Sequence, residues 1–300
     1  MSEALKDSKT LESKKLDIHE LKRKSSPFKA QNIILSLLVI YIIAQSWIDT
    51  QMSFSALLQG WEGMVGYLSG NEEIANSSYF KPSLDSSEIA TYLFAMLETL
   101  EMAVIALLIS VVLAVPLSWF CSRNILDIMF PQQGIFFTLL KRGLYFCATL
   151  FANICRSINE IIWALIFVSA VGLGPMAGIL ALAIHTTGTL AKLLSEGNEN
   201  IDSGPIKALE SMGIGFFKVL VYGILPQVMP HYVSMILYRF ESDVRSASIL
   251  GFVGAGGIGF YLFDKIRGFE NGSVCTILII IVGVVFIVDK LSAIIRKKYM

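Results

Sequence analysis

Ionisable side chains interrupt the apolar runs of this chain at two places, 156–160 and 238–247. Charged side chains are costly in lipid, so within a membrane span they face a bundle interior or a wet path. Guanidinium groups bind oxyanions through paired N–H donors, which makes the arginines candidates for contact with an anion. The ionisable residues at the two places are Arg156, Glu160, Arg239, Glu241, Asp243 and Arg245.

The same six residues also have an interpretation that involves no ligand. Each positive residue has a negative one four positions away, on the same face of a helix. The pairs are Arg156–Glu160, Arg239–Asp243 and Glu241–Arg245. Three positive and three negative charges leave the region neutral, so the pairs could equally serve to fix helix packing. The sequence leaves both interpretations open.

Two hydroxyl groups follow in another apolar run, at Thr186 and Thr187. Either they face a cavity and help to line a path, or they bond back to carbonyl groups of their own helix. Local back-bonding is the default for threonine in a membrane helix. Both residues are kept as candidates for the path.

The composition requires that these residues be positioned by membrane helices. The chain has 300 residues, 54% of them hydrophobic and only 16% charged, with 24 Lys and Arg against 24 Asp and Glu. Disorder requires few apolar residues and a high net charge, and binding to nucleic acid requires a basic excess, so both are excluded. The four cysteines and three histidines are scattered, which predicts neither a disulfide framework nor a metal site.

About 20 apolar residues span the hydrocarbon core as a helix. The apolar runs predict an all-α membrane protein with about six transmembrane helices. A helix over the whole third run would be about 43 Å long, so this span is expected to tilt steeply, to break or to project beyond the bilayer. The string 156–160 is the expected irregularity within it. The predicted spans are 31–48, 91–120, 143–171, 175–193, 227–250 and 272–291.

The basic residues predict the orientation of these spans. Eight Lys and Arg precede the first span, and Arg296, Lys297 and Lys298 follow the last. Both termini are therefore expected in the cytoplasm, with 1–30 as a cytoplasmic tail. That basic tail is expected either to bind anionic membrane lipid or to act only as an orientation signal.

The first connection, 49–90, is predicted to be a periplasmic loop. Its apolar residues recur at helical spacing over 54–68, which predicts a helix lying on the outer membrane interface. The five spans that follow form a predicted core over 91–292.

A second candidate site lies in the largest predicted inner loop, 195–226. Pro205 and Gly213 bracket a helix of about two turns, and Leu225-Pro226 marks the entry to the next span. A short helix held between two spans suits the docking of a soluble partner, although an ordinary re-entry loop fits the spacing equally well. The candidate docking residues are Lys207, Ala208, Leu209, Glu210, Gly213, Leu225 and Pro226.

A glycine-rich segment near the outer end of the fifth span matches GxGxxG. A dinucleotide fingerprint requires a strand before it and a helix after it in a βαβ unit, which this context lacks. The glycines are expected either to line a gate at the outer mouth or to allow close helix packing. They are Gly254, Gly256, Gly257 and Gly259.

The inner loop resembles the cytoplasmic loop of ABC-importer permeases, which carries a Glu-Ala-Ala, three residues, Gly, nine residues, Ile, one residue, Leu-Pro pattern. The residues of this chain that match the pattern are Ala208, Gly213, Leu225 and Pro226. The chain departs from the pattern with Lys207 in place of Glu, Leu209 in place of the second Ala and Gly223 in place of Ile.

Several uncommon strings resemble, in order, the permease subunit of phosphonate importers. The resemblance covers roughly residues 90–295. The strings are 156–160, 170–175, 185–188, 222–230, 238–247 and 251–259.

The resemblance implies the type I ABC importer permease fold in a bacterial inner membrane, with a short cytoplasmic coupling helix. It implies a transport subunit without its own cofactor, paired with a second copy of itself. The implied partners are two cytoplasmic ATPase subunits, which bind the ATP, and a periplasmic phosphonate-binding protein. The sequence independently contains no GxxxxGK[ST] phosphate loop.

Two other functions predict features that the residues can be compared with. A secondary transporter of a small anion, driven by an ion gradient, predicts inverted repeats, and the two halves show no convincing repeat. An intramembrane enzyme requires a catalytic grouping of His, Asp, Glu or Ser at workable spacing, and none is evident. A transport subunit without catalytic residues is the interpretation carried forward.

Overall fold

The computed structural model describes residues 30–70, 78–131 and 134–299. All regular secondary structure within these ranges is helical. The predicted tail lies outside the described residues, apart from Ala30 at the start of the first helix.

Six long helices, in the described part of the chain, are long and apolar enough to cross a membrane. This confirms the predicted number of spans. The helices are α1 Ala30–Asp49, α4 Ser86–Phe120, α6 Ile135–Ser157, α8 Pro175–Glu199, α11 Leu225–Leu250 and α13 Asn271–Tyr299.

Shorter helices connect them or extend their ends. They are α2 Phe54–Gln59, α3 Trp61–Ser69, α5 Arg123–Met129, α7 Glu160–Val171, α9 Ser203–Ser211, α10 Phe216–Val219 and α12 Ile258–Arg267. A π-helical turn, Leu220–Ile224, leads into α11, and a 3-10 turn, Gly251–Val253, ends it.

Among the described residues, those from Ala30 to Val65 form one compact unit and those from Gly66 onward another. In the first unit, Ser53 caps α2 by accepting the N–H of Ala56, and the rings of Trp47 and Phe54 lie 5.2 Å apart. The helical spacing predicted over 54–68 is confirmed, with an interruption at Gly60 that divides it into α2 and α3. Its position on the outer interface stays a prediction.

The second unit is organised around α4 and α8, which pack against each other and against α11. One apolar cluster lies toward the start of α8 and includes Ala103, Leu182 and Leu250. The other lies toward the end of α8 and includes Ala114, Leu194 and Ile224. Small side chains at these contacts let the backbones approach closely, which is how membrane helices gain packing energy without a hydrophobic drive.

Gly188 shows how close this approach is. A Cβ added at Gly188 would lie 2.6 Å from both the carbonyl oxygen of Ala152 and the Cβ of Cys155 on α6. Real Cβ atoms do not come so near another atom, so α6 and α8 could not keep this spacing with alanine at this position.

Candidate functional site

The third predicted span is broken in the structure, which is one of the three expected outcomes, but it begins earlier than predicted. Helix α6 ends at Ser157 and α7 starts at Glu160, so the helical stretch runs from Ile135 instead of residue 143. Asn159 caps α7 by accepting the N–H of Ile161 at 2.9 Å. Asn at this position competes with helix continuation by bonding to the backbone, which explains the break.

Carbonyl groups released by the break find new donors. The indole Nε1 of Trp163 donates to the carbonyl of Cys155 at 3.2 Å. His185 Nδ1 lies 2.9 Å from the carbonyl oxygen of Ile158, a contact in which the ring N–H donates. Irregular backbone at membrane depth survives only with such partners or beside a wet cavity. The break between α6 and α7 is therefore stabilised by specific side-chain contacts.

The break lies opposite the middle of α8. His185 is about 15 Å from the start of that helix by residue count. The next residue, Thr186, contacts Arg239 and Asp243 on α11. One layer of polar side chains therefore crosses the helices at this level, and we call it the polar layer. Its members are Asn153, Arg156, Glu160, His185, Thr186, Arg239, Asp243 and Ser246.

Arg239 is enclosed within the protomer. Its Nη2 atom lies 2.7 Å from Asp243 Oδ1 and donates to Thr186 Oγ1 at 2.9 Å. The Thr186 hydroxyl donates in turn to Asp243 Oδ1 at 2.8 Å. Arg239 is 8% exposed and Asp243 0% exposed. The predicted Arg239–Asp243 pair is confirmed, and the pairing neutralises both charges inside the helix bundle.

Glu160 is not the partner of Arg156, so that predicted pair is wrong. The helix break removes the four-residue register between the two side chains. Glu160 Oε1 accepts the hydroxyl of Ser246 at 2.7 Å, and Glu160 Oε2 lies 3.6 Å from His185 Nε2. These contacts join α7, α8 and α11 at the polar layer.

Arg156 is exposed on the surface of the protomer. Its Nε atom donates to Asn153 Oδ1 at 2.9 Å, and its guanidinium forms no ion pair with a residue in the described ranges. Because an unneutralised guanidinium at this depth is costly in hydrocarbon, we expect Arg156 to face a wet path or a neighbouring subunit.

The predicted pair Glu241–Arg245 is also wrong. Arg245 donates from Nε to the backbone carbonyl of Glu241 at 3.1 Å and is itself exposed. The Glu241 carboxylate, which is buried, pairs with Arg296 of α13 instead. Arg296, predicted only as an orientation signal, thus binds α13 to α11.

The two threonines differ. Thr186 belongs to the enclosed network around Arg239, whereas Thr187 donates to the carbonyl of Ala183 at 2.6 Å within its own helix. Both are buried in this conformation, so their contact with a transported anion stays a prediction.

The predicted short helix of the inner loop is present as α9, which we call the coupling helix. Asp202 caps it by accepting the N–H of Gly204 at 2.9 Å, and Gly213 follows it with φ of +71°. Ile206 is its buried contact. Lys207, Ala208 and Glu210 are exposed, which leaves one face free for a partner.

Two departures from the family pattern meet in this structure. A Cβ on Gly223 would lie 3.0 Å from Leu209 Cδ1 and 3.6 Å from Ile206 Cγ1. The larger Leu209 occupies the space that a side chain at position 223 would need. The two substitutions therefore compensate each other, and the coupling helix stays seated on the turn before α11. Leu225 and Pro226 form the first turn of α11, as predicted.

The glycine segment forms a packed turn between α11 and α12. Gly254, Gly256 and Gly257 have φ of +85°, +79° and +71°, which disfavours other residues. A Cβ on Gly257 would lie 2.5 Å from Thr99 Oγ1. Gly259 lies in the first turn of α12 with Gly251 beside it, 3.0 Å from where a Gly259 Cβ would lie. A role in gating stays a prediction.

A charged cluster ties the start of α13 to α4 beyond this turn. Lys265 Nζ lies 2.7 Å from Glu270 Oε2 and 3.5 Å from Glu88 Oε1. The hydrogen bond to Glu270 raises the pKa of Lys265 above its ordinary value. The raised pKa keeps the Lys265 ammonium charged, so it can pair with the carboxylates beside it.

The fold is that of a type I ABC importer permease. A chain of the MetNI methionine ABC transporter, in inward-facing conformations, superposes with a TM-score of 0.62 at 22% sequence identity. The match covers 72% of this chain and 100% of that chain.

Sequence relatives narrow the class to a family. The model of the family described as "Binding-protein-dependent transport system inner membrane component" matches residues 133–300, and the chain belongs to this family. It is 33% identical to the phosphite transport system permease protein PtxC of Stutzerimonas stutzeri, over 72% of this chain and 74% of PtxC.

A further relative is the phosphate-import permease protein PhnE of Mycolicibacterium smegmatis. The two chains are 37% identical over 190 residues, which is 62% of this chain but only 33% of PhnE. The chain thus spans about one third of the length of that relative. The chain is a multi-pass transport component.

Sequence reasoning missed three contributors to the polar layer. Asn153, His185 and Ser246 do not belong to the pattern of charged residues that singled out the arginines. Asn153 lies three residues before Arg156, a helical neighbour that could have been found from spacing. Ser246 and His185 reach Glu160 only through tertiary packing, so no local signal pointed to them.

Proposed function

We propose that the chain is the permease subunit of an ABC importer that carries a phosphorus oxyanion, with phosphonates as the expected cargo. Support comes from relatives that are named for phosphite and phosphate. The observation that carries the proposal is the exposed guanidinium of Arg156 at the helix break. Phosphonate, phosphite and phosphate share the tetrahedral oxygens that a guanidinium binds through paired donors.

Arg156 and Arg245 are the proposed contacts for the anion, because both are exposed and neither is neutralised by a described carboxylate. Arg239, Glu241, Glu160 and Thr186 instead hold the helices together around the path. A path that must release its cargo benefits from exposed sites of modest strength over one enclosed site.

ATP is proposed to act on a partner and not on this chain. The exposed face of the coupling helix would receive a cytoplasmic ATPase subunit, one for each permease chain in a pair. The pairing expected from the resemblance is with a second copy, and a periplasmic binding protein would deliver the cargo. The proposed setting is a bacterial inner membrane with both termini in the cytoplasm.

The energy source can be tested in proteoliposomes that contain the assembled transporter. Uptake of methylphosphonate, phosphite and phosphate is measured with ATP inside, and again without ATP but with an imposed proton or sodium gradient. Uptake that requires ATP and survives collapse of both gradients supports the importer. Uptake driven by a gradient alone, without ATPase subunits, would instead establish the secondary transporter.

Docking can be tested through Ala208, which is exposed on the coupling helix. Ala208→Glu should abolish co-purification of the ATPase subunit because it places a charge in the contact. Ala293→Glu is the matched control, since Ala293 is an exposed alanine on a different helix, α13. Equal recovery of the ATPase with both variants would remove the coupling helix from the contact.

A further inference from the structure

A pocket of about 560 Å³ opens between α5 and the first half of α6. It lies at the coupling-helix end of the bundle. The N–H of Arg123 donates to Glu199 Oε1 at 3.3 Å, and Asn124 donates to the carbonyl of Glu199, the last residue of α8. The chain passes from Glu199 into the coupling helix within four residues. With the coupling helix on its expected cytoplasmic side, the pocket would therefore face the cytoplasmic leaflet of the membrane.

The polar wall of the pocket carries three cations. Lys141 Nζ lies 2.8 Å from Asp127 Oδ1, and the guanidinium of Arg123 lies 4.8 Å from the centre of the Tyr145 ring. Arg142 is exposed and forms no ion pair with a residue in the described part of the chain. Asp127 and Glu199 are the neighbouring carboxylates, and both are already bonded. The wall is left with a positive excess.

An apolar groove of about 360 Å³ adjoins this pocket on the same helix. Its side chains are unusually exposed, with Phe136 at 71% and Leu139 at 70%. Phe146, 65% exposed, lies on the wall of the charged pocket, one helical turn after Arg142. The groove is lined by Phe136, Leu139, Leu140, Gly143, Leu144 and Cys147.

The two cavities together match an amphipathic ligand in shape and in polarity. A phosphodiester headgroup fits the cationic wall, and an acyl chain fits the exposed groove. Basic pockets beside transmembrane helices on the cytoplasmic side bind anionic headgroups in this way. We propose that this surface binds an anionic phospholipid, with the phosphate near Arg123 and Arg142 and one acyl chain along α6. This site is separate from the path at Arg156.

Native mass spectrometry of the full-length chain tests the proposal directly. The protein is loaded with phosphatidylglycerol and phosphatidylethanolamine of identical acyl chains, and the retained lipid is counted. Phosphatidylglycerol should be retained about fivefold more, because each cation near an anionic headgroup favours binding by about that factor. Equal retention of the two lipids would overturn the proposal.

Variants locate the site. Arg142→Gln should lower phosphatidylglycerol retention about fivefold and lower phosphatidylethanolamine retention less, because the ammonium group of the latter already neutralises its phosphate. Lys298→Gln removes a similar exposed charge from the last turn of α13 and should change neither. Arg123→Gln provides a second variant in the pocket, and monodisperse elution checks that each variant folds. Loss of retention in Lys298→Gln equal to that in Arg142→Gln would contradict a localised site.

Two further experiments distinguish a bound lipid from other occupants of this surface. Glycerophosphoglycerol, the headgroup without acyl chains, should not displace the lipid at millimolar concentration, and Phe146→Ser should weaken retention of both lipids. Displacement by free headgroup would identify a soluble-anion site instead. Oxidative cross-linking between copies through exposed Cys147, abolished by Cys147→Ser, would place a second protomer in the groove and overturn the lipid assignment.

Discussion

Arg239 and Arg156 lie in the same polar layer but in opposite environments. Arg239 is enclosed by Asp243 and Thr186, whereas Arg156 is exposed and held only by Asn153. The same side chain thus stabilises helix packing where a carboxylate is buried with it, and remains available to an anion where none is. The partner, and not the residue type, distinguishes the structural arginine from the one that we propose to bind the anion.

The largest effect is expected from Arg239→Met. This change leaves Asp243 charged and buried without its partner, which should destabilise the protein by about 3–5 kcal/mol. Arg239→Met combined with Asp243→Leu should recover most of that loss, since apolar packing replaces the pair. Thermal unfolding of the purified chain measures both. If the double variant is no more stable than the single one, the enclosed pair is not what holds this site.

Arg156→Gln should act on transport and not on stability. Loss of a charge-assisted contact to the anion is expected to reduce the initial rate of uptake about 10- to 100-fold. Arg156→Lys should be intermediate because it keeps the charge without the planar paired donors. Arg267→Gln, an exposed arginine that lies 4.9 Å from the Phe263 ring, serves as the control.

An unfolding temperature lowered by Arg156→Gln as much as by Arg239→Met would erase the distinction between the two arginines. Unchanged uptake in Arg156→Gln would remove Arg156 from the path.

Asn153→Asp would give Arg156 the kind of environment that Arg239 has. A carboxylate at this position should pair with the guanidinium and compete with the anion, reducing uptake roughly fivefold. Asn153→Ala, which removes the hydrogen bond without adding charge, should reduce uptake less. The comparison between the two variants is made in the same uptake assay, and faster uptake with Asp than with Ala would contradict the competition.

The smallest effect is expected from Arg245→Gln, at roughly twofold on uptake. Arg245 is exposed and near the C-terminal end of α11, which is expected at the outer surface, where salt would screen its field. Raising the ionic strength should therefore shrink the difference between this variant and the wild type. An effect equal to that of Arg156→Gln would move the main contact for the anion toward the outer mouth.

Local pattern predicted much of the fold and part of the site. The six spans follow from hydropathy, and the Asp202-capped coupling helix follows from Pro205 and Gly213. An irregularity at 156–160 was expected because the run was too long for one helix. These features depend on residues close together in the chain, so their physical causes are visible in the sequence.

The pairing of charges could not be predicted in the same way. Four-residue spacing was right for Arg239 and Asp243, which lie on an uninterrupted helix. It was wrong for Arg156, since the break removes the register. It was wrong for Glu241 because this carboxylate pairs with Arg296, which lies 55 residues further along the chain.

The sequence by itself determined that this chain is a helical membrane protein with about six spans, and it identified the apolar runs that arginines interrupt. Those properties depend on the cost of transferring each segment into hydrocarbon, which is a sum over neighbouring residues. The tertiary structure alone decided which arginine is neutralised and that Leu209 fills the space above Gly223. Such contacts depend on distances between helices that are far apart in the chain, and no local pattern encodes them.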